Sequence, residues 1–422
     1  MTTMTRERLA PAELSTIDLA DSRVHAEYEL ADVWRHLRAT APVHYQPPTA
    51  GHDGFWVVTR YTDVAEVFRD AESFTSERGN VLDTLLAGGD SAAGRMLAVT
   101  DGAAHAGLRA VLLKAFAPRA LQHVVRSVRT GTRKLLTDAL RKGDCDFASD
   151  VASNIPISAI CDLLGVPPTD RLHILSLTSS ALGSEHGVLT DADAWSAKNE
   201  ILLYFAELAR ERRDTPYSDI VSLLVTSEVG GRALTDEEVI FNCYSLILGG
   251  DETTRLSMIG AVAALIEHPR QWEALKSGEV AVESAVEEVL RWTTPALHAG
   301  RTAARDTELG GRAIAAGDIV TIWNSSANRD ERAFDRPELF DLSRTPNKHM
   351  TFAFGPHFCL GAYLARVEVG AVLEGLRDMA SLIEPAGPTK RIYSNFLSGI
   401  CSLPVTLTLD ESHVPASAEP VA

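Results

Sequence analysis

The sequence predicts a mainly α-helical fold with a small β region, and three observations carry that reading. Eight segments repeat apolar residues at helical spacing. One of them, Asp236–Glu267, is apolar on nearly every side, the mark of a buried helix. Alternating, strand-like runs are short and few.

Along the chain, helices are expected at Ala31–Arg38, Tyr61–Arg69, Leu108–Ala115, Leu121–Arg141, Trp195–Arg213, Asp236–Glu267, Glu279–Arg291 and Leu360–Leu382. Strands are expected at Phe55–Thr59 and Leu403–Leu409. Ala313–Ile314 and Ile319–Trp323 flank the turn residues Ala316-Gly317-Asp318 and read as a hairpin. Residues 1–12 and 410–422 are mostly small or polar and are expected to fray as tails. No repeat, low-complexity tract or long linker lies between them, so residues 13–409 read as a single domain.

Composition removes several functional classes. With 45% apolar and 23% charged residues the chain can bury a large core. No apolar run is long enough to span a bilayer, and the N-terminus has no apolar signal region, so no membrane partner is expected. The cysteines (Cys145, Cys161, Cys243, Cys359, Cys401) are odd in number and form no CxxC pair. That argues against a disulfide framework or structural zinc and for a reducing, cytoplasmic setting. A net charge of −17 makes nucleic acid an unsuitable partner. Yet Arg109–Lys142 holds nine basic residues and one acid, Asp138, a local net of +8. Two readings stand for it: solvated helix faces, or a docking patch for an acidic electron donor.

The long helix contradicts its own surroundings. Thr235 and Glu238 form a capping box, Leu234 and Val239 a hydrophobic staple, and Pro269 closes the far end. Its middle reads Gly249-Gly250-Asp251-Glu252-Thr253-Thr254-Arg255. Two mid-helix glycines cost about 1 kcal/mol each against alanine, and buried polar groups cost more unless partnered. Helical geometry gathers Leu246, Gly249, Gly250, Thr253 and Ser257 on one face. The absent side chains make a hollow there, with a hydroxyl beside it and the Glu252 carboxylate close behind. Tight helix packing around a satisfied polar network is the alternative.

A second unusual segment is Phe352-Ala353-Phe354-Gly355-Pro356-His357-Phe358-Cys359-Leu360-Gly361. It sets one cysteine at the end of a Phe/Gly/Pro loop, immediately before a helical pattern. Unpaired N–H groups and the positive end of the helix dipole favour its thiolate, the form that binds metals or attacks electrophiles. A buried small hydrophobe, or a hydrolase nucleophile paired with His357, would explain a lone cysteine equally well.

This loop resembles the haem-binding segment of the cytochrome P450 family, F-G-x-G-x-H/R-x-C-x-G, with Phe352, Gly355, His357, Cys359 and Gly361 matching and Ala353 in place of the first glycine. Further motifs follow the family's order. Gly249-Gly250-Asp251-Glu252-Thr253-Thr254 resembles A/G-G-x-D/E-T-T, and Glu288-Val289-Leu290-Arg291 resembles E-x-x-R. His105 and Arg109 resemble the H-x-x-x-R propionate motif, while Arg301 and His357 match two more propionate contacts. The resemblance spans roughly residues 55 to 370.

The resemblance implies a P450 fold with haem b (iron protoporphyrin IX) between the central helix and the Cys359 loop, and Cys359 as axial thiolate. It implies Glu252 and Thr253 as the acid–alcohol pair that delivers protons, and Glu288–Arg291 as a buried brace. The family's further arginine, in a P-x-R-F pattern, is missing: Pro337-Glu338-Leu339-Phe340 has Leu339 there. If the position of Ala353 needs a positive φ, alanine is strained there.

The implied activity is monooxygenation of a small organic substrate, such as an antibiotic precursor, free or tethered to a carrier protein. Electrons would come from a separate ferredoxin and ferredoxin reductase, since no nucleotide or flavin motif is present. Leu246, His298 and Phe396 are the expected substrate contacts, within a pocket drawn from 76–99, 175–193, 241–250, 294–300 and 395–399. A peroxide-driven haem-thiolate peroxygenase and a non-enzymatic haem-binding sensor are the alternatives. The acid–alcohol pair counts against the first and the hollowed helix against the second.

Overall fold

Thr235 and Glu238 start the central helix as the capping box requires. Thr235 Oγ1 accepts from Glu238 N at 3.2 Å, and a Glu238 carboxylate oxygen accepts from Thr235 N at 2.8 Å. Leu234 and Val239 are buried at the staple positions. The helix spans Asp236–Glu267, and Pro269 opens the next one, Pro269–Lys276. The computed structural model describes residues 7–8, 17–182 and 191–410.

Helices Gly102–Phe116, Gln122–Lys142, Asn154–Leu164, Val282–Thr293 and Ala362–Met379 surround the central helix and share the main apolar core with it. The expected helices are present, with ends moved by a few residues. The segments Asn154–Leu164 and Arg171–Leu182 are helices that periodicity did not single out. Apolar residues cover most of Asn154–Leu164, so no single face stands out in its sequence.

Five short strands form the main sheet, in the order Val43–Gln46, Phe55–Val58, Ile319–Ile322, Ala299–Ala303, Phe74–Thr75. The expected hairpin is not formed. Arg312–Ile314 pairs instead with Thr307–Leu309 across Gly310-Gly311, both at positive φ, the geometry of a two-residue hairpin turn. Ile319–Ile322 joins the main sheet, with Val320 opposite Arg301 on one side and Trp56 on the other. Pro404–Leu409 is a strand, as expected, paired with Ala380–Pro385 and Asp144–Asp146. Apart from Glu7–Arg8, which pairs with Tyr28–Glu29, and Asp410, the expected tails lie outside the described residues.

A buried brace ties the helix Val282–Thr293 to the segment leading into the cysteine loop. Arg291 Nε and Nη2 donate to the two Glu288 oxygens at 2.8 and 2.7 Å, and neither residue is exposed. The further arginine, absent at Leu339, is Arg344: its Nε donates to Glu288 at 3.0 Å and its Nη2 to Leu339 O at 2.9 Å.

Candidate active site

The loop 352–361 closes on itself through Cys359 N donating to Phe352 O at 2.9 Å. Gly355 sits at φ 70°, and a Cβ there would lie 2.5 Å from Phe68 O, so only glycine fits. Ala353, at φ 59°, holds the left-handed conformation that its missing glycine would have adopted freely. Cys359 presents its surface to a large cavity between this loop and the central helix. Burial pushes its thiol up. The N–H groups of Gly361 and Ala362, with Arg109 and Arg366, pull the other way and do not win. The backbone N–H groups thus favour the thiolate, as the helix-terminus argument expects, but burial outweighs them.

Across the cavity stands the hollow of the central helix. Leu246, Gly249, Gly250, Thr253 and Ser257 all line it. The two glycines differ in purpose. A Cβ at Gly249 would meet open space, whereas one at Gly250 would press on Ile160 at 3.1 Å. Gly249 thus opens the cavity and Gly250 permits helix packing. Thr253 Oγ1 donates to Gly249 O at 3.1 Å.

Glu252 points elsewhere. It is fully buried, does not line the cavity, and accepts from Arg255 at 2.5 Å and Ser179 at 3.2 Å. Beside it Asp251 accepts from Thr178 Oγ1 at 2.8 Å, and burial followed by the Glu252 charge pushes its carboxyl up to about 8. Glu368 lines the cavity, and burial with the Asp251 charge raises it well above the usual carboxylate range. Asp251 and Glu368 were not foreseen. Asp251 was legible as a buried acid on the central helix; Glu368 follows an unremarkable helical pattern.

At one edge of the cavity the expected propionate ligands converge. His105, Arg109, Arg301 and His357 all line it. His105 lies 4.2 Å from His357, ring to ring. Its Nε2 is buried without a partner among the described residues, and burial, His357 and Arg109 lower the ring to about 4. Arg301 is 4% exposed, forms no ion pair among the described residues and is lowered to about 10 by burial. Arg109 donates to Phe358 O at 2.6 Å. His357 is engaged with an acid that sequence reasoning missed, Asp101, at 2.7 Å. Burial alone would raise Asp101; bonds from His357, Ser76 N and Thr75 bring it to about 2. Phe352, at the loop's start, lies under the Arg366 guanidinium at 4.5 Å.

The orphaned His105 nitrogen, the desolvated Arg301 guanidinium, the opening at Gly249 and a cavity-facing thiol together fit a flat, iron-bearing, dianionic group. The chain matches the family model for cytochrome P450 over residues 280–377. It is 50% identical over 404 residues to Cytochrome P450 NovI of Streptomyces niveus, covering 96% of this chain and 99% of that one. The chain is a cytochrome P450. As a member of that family it is a monooxygenase of the haem-thiolate class. This P450 is also 35% identical to the steroid C26-monooxygenase of Rhodococcus jostii, over 91% of this chain and 83% of that one. Its fold superimposes on P450 OxyD, involved in the biosynthesis of vancomycin-type antibiotics, with a TM-score of 0.85, 34% identity and coverage of 93% and 100%. Among the described residues no helix of this P450 is long and apolar enough to cross a membrane.

The expected substrate contacts separate into two kinds. Leu246 and Phe396 line the cavity. His298 also borders it, but its Nε2 accepts from Leu82 N at 3.1 Å, and its ring packs on Trp323 and Phe396. It therefore holds the segments carrying Leu82 and Phe396. Among the described residues, 175–182 contribute nothing to the cavity wall, and 183–190 lie outside them.

Proposed function

We propose that this P450 binds haem b through Cys359, with His105, Arg109, Arg301 and His357 around the propionates, and inserts one oxygen atom of dioxygen into a small secondary-metabolite intermediate. The observation that supports it most is the meeting, on one cavity, of the Cys359 thiol, a cluster of cationic donors and the Thr253 hollow. Haem, when bound, supplies the dioxygen activation. Thr253 holds a hydroxyl proton at the cavity wall, and Glu252, one residue before it, exchanges protons from the buried side. The apolar wall around Leu246 and Phe396 excludes water and orients substrate. The likeness to OxyD favours an antibiotic precursor, free or carrier-tethered.

Electrons come from a ferredoxin and its reductase, docking on the basic segment 109–142. That patch is narrower than its sequence suggests: Arg129, Arg133, Arg141 and Lys142 pair with Glu374, Asp378, Asp138 and Asp150. Lys114, Arg119, Arg126 and Lys134 form no ion pair among the described residues and are exposed, so they carry the docking field. The test is the ferrous–carbon monoxide spectrum of purified protein. A red-shifted Soret band is expected; a histidine-type band would remove Cys359 from its role.

A further inference from the structure

A separate pocket, of about 480 Å³, is lined by Arg255 and Ser179, the two residues that donate to Glu252. Arg255, Lys390 and Cys401 line it, and Ser149 and Ser176 add hydroxyl groups. Arg255 is only 6% exposed, gives one nitrogen to Glu252, and has a buried Nε without a partner among the described residues. Lys390 forms no ion pair among the described residues. The pocket's acid, Asp146, is already satisfied by Ala148 N, Leu403 N and Ser402 Oγ. Cys401 shares the wall with both cations; burial, with the Asp146 charge, raises its thiol, and Arg255 and Lys390 oppose that rise. Among the described residues, two cations and the Ser149 and Ser176 hydroxyls therefore line a space whose one carboxylate already accepts three hydrogen bonds.

We propose that this pocket is a binding site for a small oxyanion of phosphate type, held by Arg255 and Lys390 through charge-assisted bonds. Occupancy is transmitted to the central helix, because the anion and Glu252 compete for one guanidinium. That consequence rests on the proposed role of Glu252; the binding itself does not.

Cys401 reports on the site. It is half-buried in the pocket wall, whereas Cys145, Cys161 and Cys243 are buried. Ferric holoenzyme is titrated with inorganic phosphate at constant ionic strength, and alkylation of Cys401 by iodoacetamide is followed by peptide mass spectrometry. Saturable protection is expected, with about a tenfold slower reaction at saturation, as for any site closed by its ligand. Lys390→Gln, an exposed change, should raise the half-saturating phosphate about tenfold through loss of a charged contact. Glu252→Gln should lower it, because the competitor is removed and coupling is reciprocal. Absent protection, equal protection by chloride, or an unchanged half-saturation in both variants overturns the proposal. A histidine-type carbon monoxide spectrum would sink the haem reading and leave this titration standing.

Discussion

Among the described residues, the buried charges around Glu288 and those around Glu252 are built to opposite rules. Around Glu288 the carboxylate and the Arg291 guanidinium are fully spent, and Asn347 Oδ1 is the atom left over. The carboxylate receives Arg291 twice, Arg344, Asn347 Nδ2 and Asp341 N, while Arg291 also reaches Asn328 O, Pro337 O and Leu339 O. Around Glu252 the account does not close. Two carboxyl groups share one arginine and two hydroxyls, and Asp251 Oδ1 and Arg255 Nε are left over. A saturated network fixes one geometry. An unsaturated one keeps a proton and a rotamer free to move.

The largest expected effect breaks the first cluster. Glu288→Gln leaves two buried arginines short of charge, and such a break costs about 3–5 kcal/mol. Denaturant unfolding should show it, or the variant should fail to incorporate haem. A loss under 1 kcal/mol would mean that Glu288 is no more than a helix-surface pair.

The second cluster responds to pH instead. Asp251 titrates at about 8 in the fold, against about 4 in an unfolded chain. Its folded value is raised, so its contribution is intact below pH 4 and is lost as pH rises toward 8. Asp251→Asn cannot ionise and escapes that loss. The variant should gain on the parent between pH 5 and pH 8, by on the order of 2 kcal/mol after allowance for its coupling to Glu252. A difference that stays flat with pH would mean that Asp251 is ionised in the fold.

Thr253→Ala sharpens the functional side of the comparison. With the cavity-facing hydroxyl gone, reductant should drain into peroxide, with product per electron falling about tenfold, within the range of a lost proton-transfer group. Peroxide and product are measured against reductant consumed. Unchanged coupling would place the proton path elsewhere.

How far these clusters were legible in the sequence follows from how local they are. Glu288 and Arg291 stand one helical turn apart, so spacing alone joined them. Arg344 reaches the same carboxylate from a loop, which no spacing rule covers. Asp101 and His357 meet across 256 residues; the acid stood in plain view before the His105 helix, with nothing local to name its partner. Glu252 and Thr253 form a motif in the sequence, but that Thr253 faces the cavity while Glu252 turns to Ser179 and Arg255 is visible only in the fold. The hairpin failed for a nearer reason. Gly310-Gly311, both at positive φ, is the stronger two-residue turn signal, and Arg312–Ile314 pairs across it rather than across Gly317.

Ala353 provides the smallest and most local test. Its φ of 59° costs a non-glycine residue about 1–2 kcal/mol. Glycine would remove that strain and add backbone entropy to the unfolded chain, worth about 0.4–1 kcal/mol in the other direction. Ala353→Gly should therefore stabilise the protein by a margin of up to about 1 kcal/mol, a shift of roughly one or two degrees in a chain of this size. Neither charge cluster contacts the Ala353 methyl, which packs against the sheet core, so the pH response of Asp251 should not move with it. A destabilised variant would show that methyl packing outweighs the strain, and that the alanine is held for the loop's shape around Cys359.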